Sequence, residues 1–367
     1  MPQLPAESNV ITEVRGRVGC ITLDRPKALN ALSLDMVRDI TRGLLAWRDD
    51  PQVLAVAIRG MGKEGPFGAF CAGGDIRFFH QAALAGDPRL EDFFTEEYAL
   101  NHLIHTYAKP YIALMDGICM GGGMGISQGA SLRIVTERSK LAMPETNIGL
   151  FPDVGGGYFL SRCAGRLGEY LALTGQVLGG TEALAAGLAD VQMDSARLAS
   201  LWDSLGSTPF ETGEAVERWC RTHALKGTGQ AGWPSAEVDR VFALDSVGAI
   251  VQALEQGTTE WARETAALLR KRSPLMLHVV LEQVRRARGM GLAEDLRMER
   301  DLVRRCFHLR PAAASETVEG IRALAVDKDH HPKWHPARIE DVTPAQVAAF
   351  FESPWPAHAH PLRDLAR

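Results

Sequence analysis

The sequence predicts an α/β fold, with a layered core over residues 1–205 and a helical region with a docked C-terminal tail over 206–367. Three observations carry that expectation. Apolar runs of strand length alternate with glycine-rich loops and helical periodicity as far as about residue 200. From about Ser204 the texture changes to helical periodicity with few strand candidates. The 36 glycines gather in a few runs instead of being spread evenly along the chain.

Taken in order, EVRGRVGCITLD carries β-branched residues on both sides of a glycine and predicts a hairpin over residues 11–23, turning at 15–17. Arg25-Pro26 ends the second strand. Ser33 is the expected N-cap of a helix in which Leu34, Val37, Ile40, Leu44 and Leu45 recur at helical spacing up to Trp47. The continuous apolar run 53–58 has the length and composition of a buried strand. The glycine-rich loop RGMGKEGPFGAFCAGGD then leads to a helix near Ile76. A helix over 95–106, a break at Lys109-Pro110 and a strand over 111–114 repeat the pattern, followed by a glycine loop at 117–125, a short helix and a strand at 132–136. Residues 222–235 read as an exposed connection. Residues 258–307 read as two long amphipathic helices interrupted at Ser273-Pro274. The segment VEGIRALAVDKDHHPKWHP, with its prolines and aromatic residues, reads as a fixed tail.

Composition narrows the function classes. Hydrophobic residues at 46% and charged residues at 23% describe a soluble globular chain, and 367 residues correspond to about two domains. Forty Lys and Arg against 45 Asp and Glu leave a net charge of -5, which lacks the basic footprint of a nucleic-acid partner. The six cysteines stand far apart with no C-x-x-C pair, which points to a reducing compartment and away from zinc or a disulfide framework. The N-terminus has no apolar signal segment, Glu7 and Glu13 do not suit a transit peptide, and no apolar run approaches the ~18 residues of a membrane span. The expectation is a cytoplasmic protein with no membrane and no nucleic-acid partner.

Three motifs invite other readings. Gly60, Gly62 and Gly65 form G-x-G-x-x-G after an apolar strand, but Pro66, Phe67 and Gly68 continue the loop where a dinucleotide site needs a helix at once. Ser127 sits in G-x-S-x-G, yet the preceding GICMGGG is not the strand a nucleophile elbow requires, so an inert helix serine is expected. Asp327, Asp329, His330, His331 and His335 cluster without a metal-ligand spacing. A solvated, proline-ordered tail with no metal is expected there.

The segments that carry chemistry are AFCAGGDI at 69–76, DGICMGGGMG at 116–125 and MPETNIGLFPDVGGG at 143–157. Glycine removes the Cβ that would keep a ligand from the backbone, and a glycine loop opening a helix aims free N–H groups at negative charge. Two such loops can build an oxyanion hole. The third segment adds Glu145 and Asp153 on an irregular run flanked by Met143, Ile148, Leu150 and Phe151. A carboxylate in that setting is desolvated unless substrate or water meets it, as a working acid or base is. Taken singly, Glu145 also reads as a helix-cap partner and Asp153 as a turn residue before a glycine run.

The motifs FCAGGDI, GICMGGGMG and PETNIGLFPDVGGGYFLSR resemble the crotonase (enoyl-CoA hydratase/isomerase) superfamily, and within it most nearly the 3-hydroxyisobutyryl-CoA hydrolase branch. EEYALN at 96–101, LALTGQVLGG at 171–180 and EGIRALAVDKDHHPKWHP at 319–336 extend the likeness over most of the chain. The resemblance implies a ββα spiral core that binds an acyl-CoA, with the C-terminal helical region packed on it and no cofactor beyond the CoA of the substrate. It implies an oxyanion hole from the N–H groups of Gly74 and Gly122, and catalysis by Glu145 and Asp153. Glu97 would contact substrate, with an exposed helix face as its alternative, and Ala72, Asp75 and Ile76 would hold the nucleotide and pantetheine by backbone contacts. Hydratase-type members carry a glutamate where this chain has Gly125, and commonly a glycine where it has Asp153. That exchange favours attack at the thioester carbonyl over hydration, with enoyl-CoA hydration or isomerisation and non-catalytic acyl-CoA binding as the rival readings. Self-association stays open, since superfamily trimers would be altered by long C-terminal helices. One departure is HLRPAAASETVEG at 308–320, longer than the turn the branch implies there.

Overall fold

The computed structural model describes residues 8–225 and 229–366. The N-terminal reading at Glu7 and part of the expected connection at 222–235 therefore fall outside the described residues. The chain forms two compact units, one of Met1–Gly74, Leu100–Leu141 and Leu178–Gln230, the other of Asp75–Ala99, Ala142–Val177 and Ala231–Arg367. These units interleave along the chain, whereas the sequence reading divides it once near residue 205, which lies inside the first unit. Local periodicity reports which element forms and is silent on which distant segment it packs against.

The first unit is built on a sheet in the order Val10–Arg15, Val18–Leu23, Ala55–Gly62, Tyr111–Met115, Leu132–Val135 and Val191–Gln192. The opening hairpin is antiparallel, with Arg15 opposite Val18, and every later neighbour in that order is parallel. Parallel strands need a crossover between them, and burial of both faces explains their unbroken apolar runs. Val18, Cys20, Ala57, Ile112 and Ile134 pack with Leu201, Trp202, Phe210 and Val216 in one core. Ser33 accepts from the Met36 N–H and caps the helix Leu34–Arg48, as expected.

Two of the expected glycine loops contain strands. Gly65–Pro66 folds back antiparallel on Ala55–Gly62, so the G-x-G-x-x-G is a hairpin and opens no helix. Ala69–Cys71, Ile118–Met120 and Lys140–Ala142 form a second, small sheet. Ser127 lies buried in the helix Gly122–Gln128 and its hydroxyl donates to the Gly123 carbonyl at 2.8 Å, which is the inert role foreseen for it.

The second unit is mainly helical. Pro274–Ala287 packs against Gly156–Ser161 and Leu167–Thr174. Where two long helices were expected over 258–307 there are three, Glu260–Leu269, Pro274–Ala287 and Leu292–His308. The second break falls at Gly289-Met290-Gly291, where the Glu294 carboxylate accepts the Gly291 N–H at 3.1 Å. The tail is held down by specific bonds: Trp334 Nε1 donates to Lys271 O at 3.1 Å and the His335 N–H donates to Glu316 at 2.8 Å. Asp327 and Asp329 pair with Arg322, each at 2.7 Å.

Candidate active site

In the first unit, Ala69–Cys71 and Ile118–Met120 run side by side in parallel, and each leads into a glycine turn. A Cβ built on Gly73 would lie 3.6 Å from the Gly122 nitrogen, so the two expected donor loops are neighbours. Gly123 cannot carry a side chain, because a Cβ there would stand 2.3 Å from the Cys71 carbonyl oxygen. The Leu32 N–H donates to Gly73 O at 2.8 Å and the Ala72 N–H to Leu29 O at 3.0 Å. Neither bond uses the Gly74 N–H. Gly122 opens its helix and is buried, so its N–H belongs to the first turn, which has no acceptor inside the helix. The turn pair thus presents amide donors suited to an oxyanion. Ala72 has given its N–H to Leu29 and can offer a ligand only its carbonyl.

The second unit holds the acidic groups. Asp75 accepts from the Phe78 N–H at 3.2 Å and caps the helix Ile76–Ala85, so its carboxylate has a structural task and Ile76 is the first helical residue. Glu97, Glu145 and Asp153 are 2%, 7% and 5% exposed, which removes the exposed-face alternative for Glu97. Glu145 opens the short turn Glu145–Ile148 after Pro144. Its Oε2, like Glu97 Oε1, has no partner among the described residues. Asp153 divides its work: the backbone carbonyl accepts the Gly156 N–H at 2.7 Å, as a turn residue does, while Oδ2 accepts the Tyr98 hydroxyl at 2.8 Å.

The three carboxyls sense one another. Burial first, then the neighbouring Asp153, holds Glu145 well above the ordinary carboxylate range. Burial, Asp153 and Glu145, in that order, do the same to Glu97. Burial pushes Asp153 up to about 6, against the Tyr98 hydrogen bond, which favours its ionised form. Three buried, interacting carboxyls all held above the ordinary carboxylate range can retain and exchange protons, which is the condition for acid and base work.

Four further residues belong to this setting and went unread in the sequence. Tyr98 was passed over beside Glu97. Asp295, Glu299 and Gln283 stand behind the 152–158 loop: Glu299 accepts the N–H groups of Gly155 at 2.7 Å and Gly157 at 2.9 Å. Asp295 accepts that of Tyr158 at 2.8 Å. Gln283 Nε2 donates to Pro152 O at 2.6 Å and to Glu299 at 3.1 Å. The clue was faint, since AEDLRMERD reads as a solvated charged face. Structure therefore brings the turn before Gly74 beside Gly122, and Glu97 together with Glu145 and Asp153, while Asp75 and Ile76 serve a helix start.

The enoyl-CoA hydratase/isomerase family model matches residues 18–351. A rat protein named 3-hydroxyisobutyryl-CoA hydrolase, mitochondrial, is 42% identical over 94% of this chain and 89% of its own length. An Arabidopsis thaliana protein named probable 3-hydroxyisobutyryl-CoA hydrolase 3 is 38% identical over 95% of this chain and 93% of its own. Among solved structures, one titled carnitinyl-CoA dehydratase from Mycobacterium thermoresistibile superposes with a TM-score of 0.84 at 36% identity, covering 98% of this chain and 99% of that one.

Proposed function

The chain belongs to the enoyl-CoA hydratase/isomerase family, and on that premise we propose that it hydrolyses an acyl-CoA thioester, converting 3-hydroxyisobutyryl-CoA and water to 3-hydroxyisobutyrate and CoA as in valine breakdown. The observation that carries the reading is where the carboxylates stand. The position at which hydratases of the family use a glutamate is Gly125, inside the buried helix Gly122–Gln128, while the partner of Glu145 is Asp153, poised near neutrality. The hydrolase names of the rat and plant relatives support it.

In this reading the Gly74 and Gly122 N–H groups receive the thioester oxygen as it gains charge, an effect of ~3 kcal/mol per donor in other enzymes. Glu145 delivers the attack, either as nucleophile, forming a mixed anhydride that water then opens, or as the base that takes a proton from water. The carbon–sulfur bond breaks and the thiolate leaves as CoA and takes up a proton; on the base route the acyl carbon keeps the water oxygen, and on the anhydride route it keeps a Glu145 oxygen when water attacks the Glu145 carbonyl carbon. Asp153 and Glu97 hold the 3-hydroxyl or the water. The reading asks for no cofactor, since CoA arrives as part of the substrate; a cytoplasmic location is proposed separately, on six free, buried cysteines that suit a reducing compartment.

The test is the bond broken. CoA release read with a thiol reagent, without loss of enoyl absorbance, supports the hydrolase; enoyl loss without CoA release overturns it. Glu145→Gln and Asp153→Asn should each lower kcat by ~10²–10⁴ and leave CoA affinity within about threefold. Parent-like turnover in both would refute the assignment, and CoA binding without turnover in the wild type would favour a binding protein. In a single turnover in ¹⁸O water, label in Glu145 establishes the anhydride route, because direct attack by water leaves that side chain unlabelled. Against 3-hydroxypropionyl-CoA, one methyl smaller, the preference should be ~1–3 kcal/mol.

A further inference from the structure

The loop that presents Asp153 is strained and clamped from behind. Val154, the next residue, has φ +57°, a left-handed conformation that a β-branched side chain adopts at a cost of about 1–3 kcal/mol and only when its surroundings impose it. Gly155 follows with φ +86°. One side chain holds the backbone on the far side of Val154. Glu299 is fully buried, and its two oxygens take the Gly155 and Gly157 N–H groups, so that it grips the backbone immediately after the strained residue. Gln283 ties the other flank, joining Pro152 O to the same Glu299 oxygen. Asp153 is thus bracketed by residues 152 and 155, both fixed through Glu299.

We propose that Glu299 is a positioning residue for the acyl-transfer chemistry, holding the Asp153 carboxyl in its working orientation through the 152–157 backbone. It does not touch substrate; it acts through Asp153. Both Glu299 oxygens receive N–H donors, which favour its ionised form, but burial first and then the neighbouring Asp295 hold its carboxyl well above the ordinary range. Asp153 lies within electrostatic range and adds to that upward shift. The other titratable or charged groups around the pair are Tyr98 and Glu97 from Arg89–His105, Glu145 from its turn, and Cys306 from Leu292–His308, with Arg162 toward Asp295.

The experiment is a double-mutant cycle with an activity-free readout beside it. Glu299→Gln keeps the size of the side chain and replaces one of the two acceptor oxygens with an amide donor. It should lower kcat about 10–100-fold with KM within threefold, and move the Asp153 protonation midpoint by about half to one pH unit as the loop turns the carboxyl away from the Tyr98 hydroxyl. That midpoint is followed in substrate-free enzyme by the carboxylic C=O infrared band lost in Asp153→Asn. On the Asp153→Asn background, Glu299→Gln should change kcat by less than threefold, because its effect passes through Asp153. An equal fractional loss on both backgrounds, or an unmoved midpoint, would overturn the proposal. Glu299→Asp retains the carboxyl but withdraws its reach; run through the same cycle, it tests the orienting role if the glutamine variant does not unfold cooperatively. The assay rests on the hydrolase reading, but the infrared titration does not: a wild-type enzyme releasing no CoA counts against that reading and leaves the midpoint test standing.

Discussion

Asp153 costs the fold what it gives the chemistry. In the unfolded chain its carboxyl titrates near the ordinary 3.8, and in the folded one near 6, through burial. Between those values the folded chain holds a proton that the unfolded chain releases, so stability falls as pH rises through the window. At pH 8 the full penalty, up to about 3 kcal/mol, is present. Asp153→Asn keeps an oxygen for the Tyr98 hydroxyl and removes the charge. It should therefore be more stable than the parent by about 1–3 kcal/mol in urea unfolding at pH 8, with the gain vanishing near pH 4; a variant less stable at pH 8 would show that burial is not the dominant cause. The residue was legible because Ile148, Leu150 and Phe151 around it announce desolvation. Glu299 was not, since its neighbours in sequence are charged and the Gly155 and Gly157 N–H groups it receives lie more than a hundred positions away.

At the scale of elements, what could be read was what local sequence dictates. Ser33 before an amphipathic run predicted a capped helix and one is there; Ser273-Pro274 predicted a break, and Ser273 indeed caps the next helix. The break at Gly289 to Gly291 was missed although two glycines and Glu294 three residues on mark it, because the apolar period runs on across it. Strands of three residues inside glycine loops were missed for a related reason: Ala69–Cys71 and Ile118–Met120 are held by each other more than by their own composition. Their closeness sets a test. In Gly123→Ala the new Cβ would meet Cys71 O at 2.3 Å and Cys71 Cβ at 3.0 Å, and backbone cannot yield without parting the two strands. The variant should lose about 1–3 kcal/mol of stability. At a temperature where it is still folded, kcat should fall ~10²–10³, because the Gly122 donor moves with the helix start; unchanged kcat in the folded variant would sever that donor from catalysis.

For the whole molecule, the texture change near residue 205 marks where strands stop, and it is no place to cut the chain. The first unit's core needs what lies beyond it: Phe210, Val216 and Cys220 pack with Leu198, Leu201, Trp202 and the sheet residues Ala57 and Ile112. The stretch 142–177 within 1–205 belongs instead to the other unit, where Gly156–Ser161 and Leu167–Thr174 rest against Pro274–Ala287. There the Gly155 and Gly157 N–H groups end on Glu299. A fragment of residues 1–205 would thus expose Leu160, Leu167 and Leu171, leave those backbone donors without their acceptor, and open the core at Trp202. Its secondary structure can form from local signals, but its packing cannot. The fragment should therefore keep far-ultraviolet circular dichroism, lose the near-ultraviolet signal, bind the dye ANS and melt without a cooperative transition, while the full chain melts cooperatively. A fragment with a sharp melt and dispersed amide resonances would instead make 1–205 an autonomous domain, and the carboxylate loop would then need no support from the helix that carries Glu299.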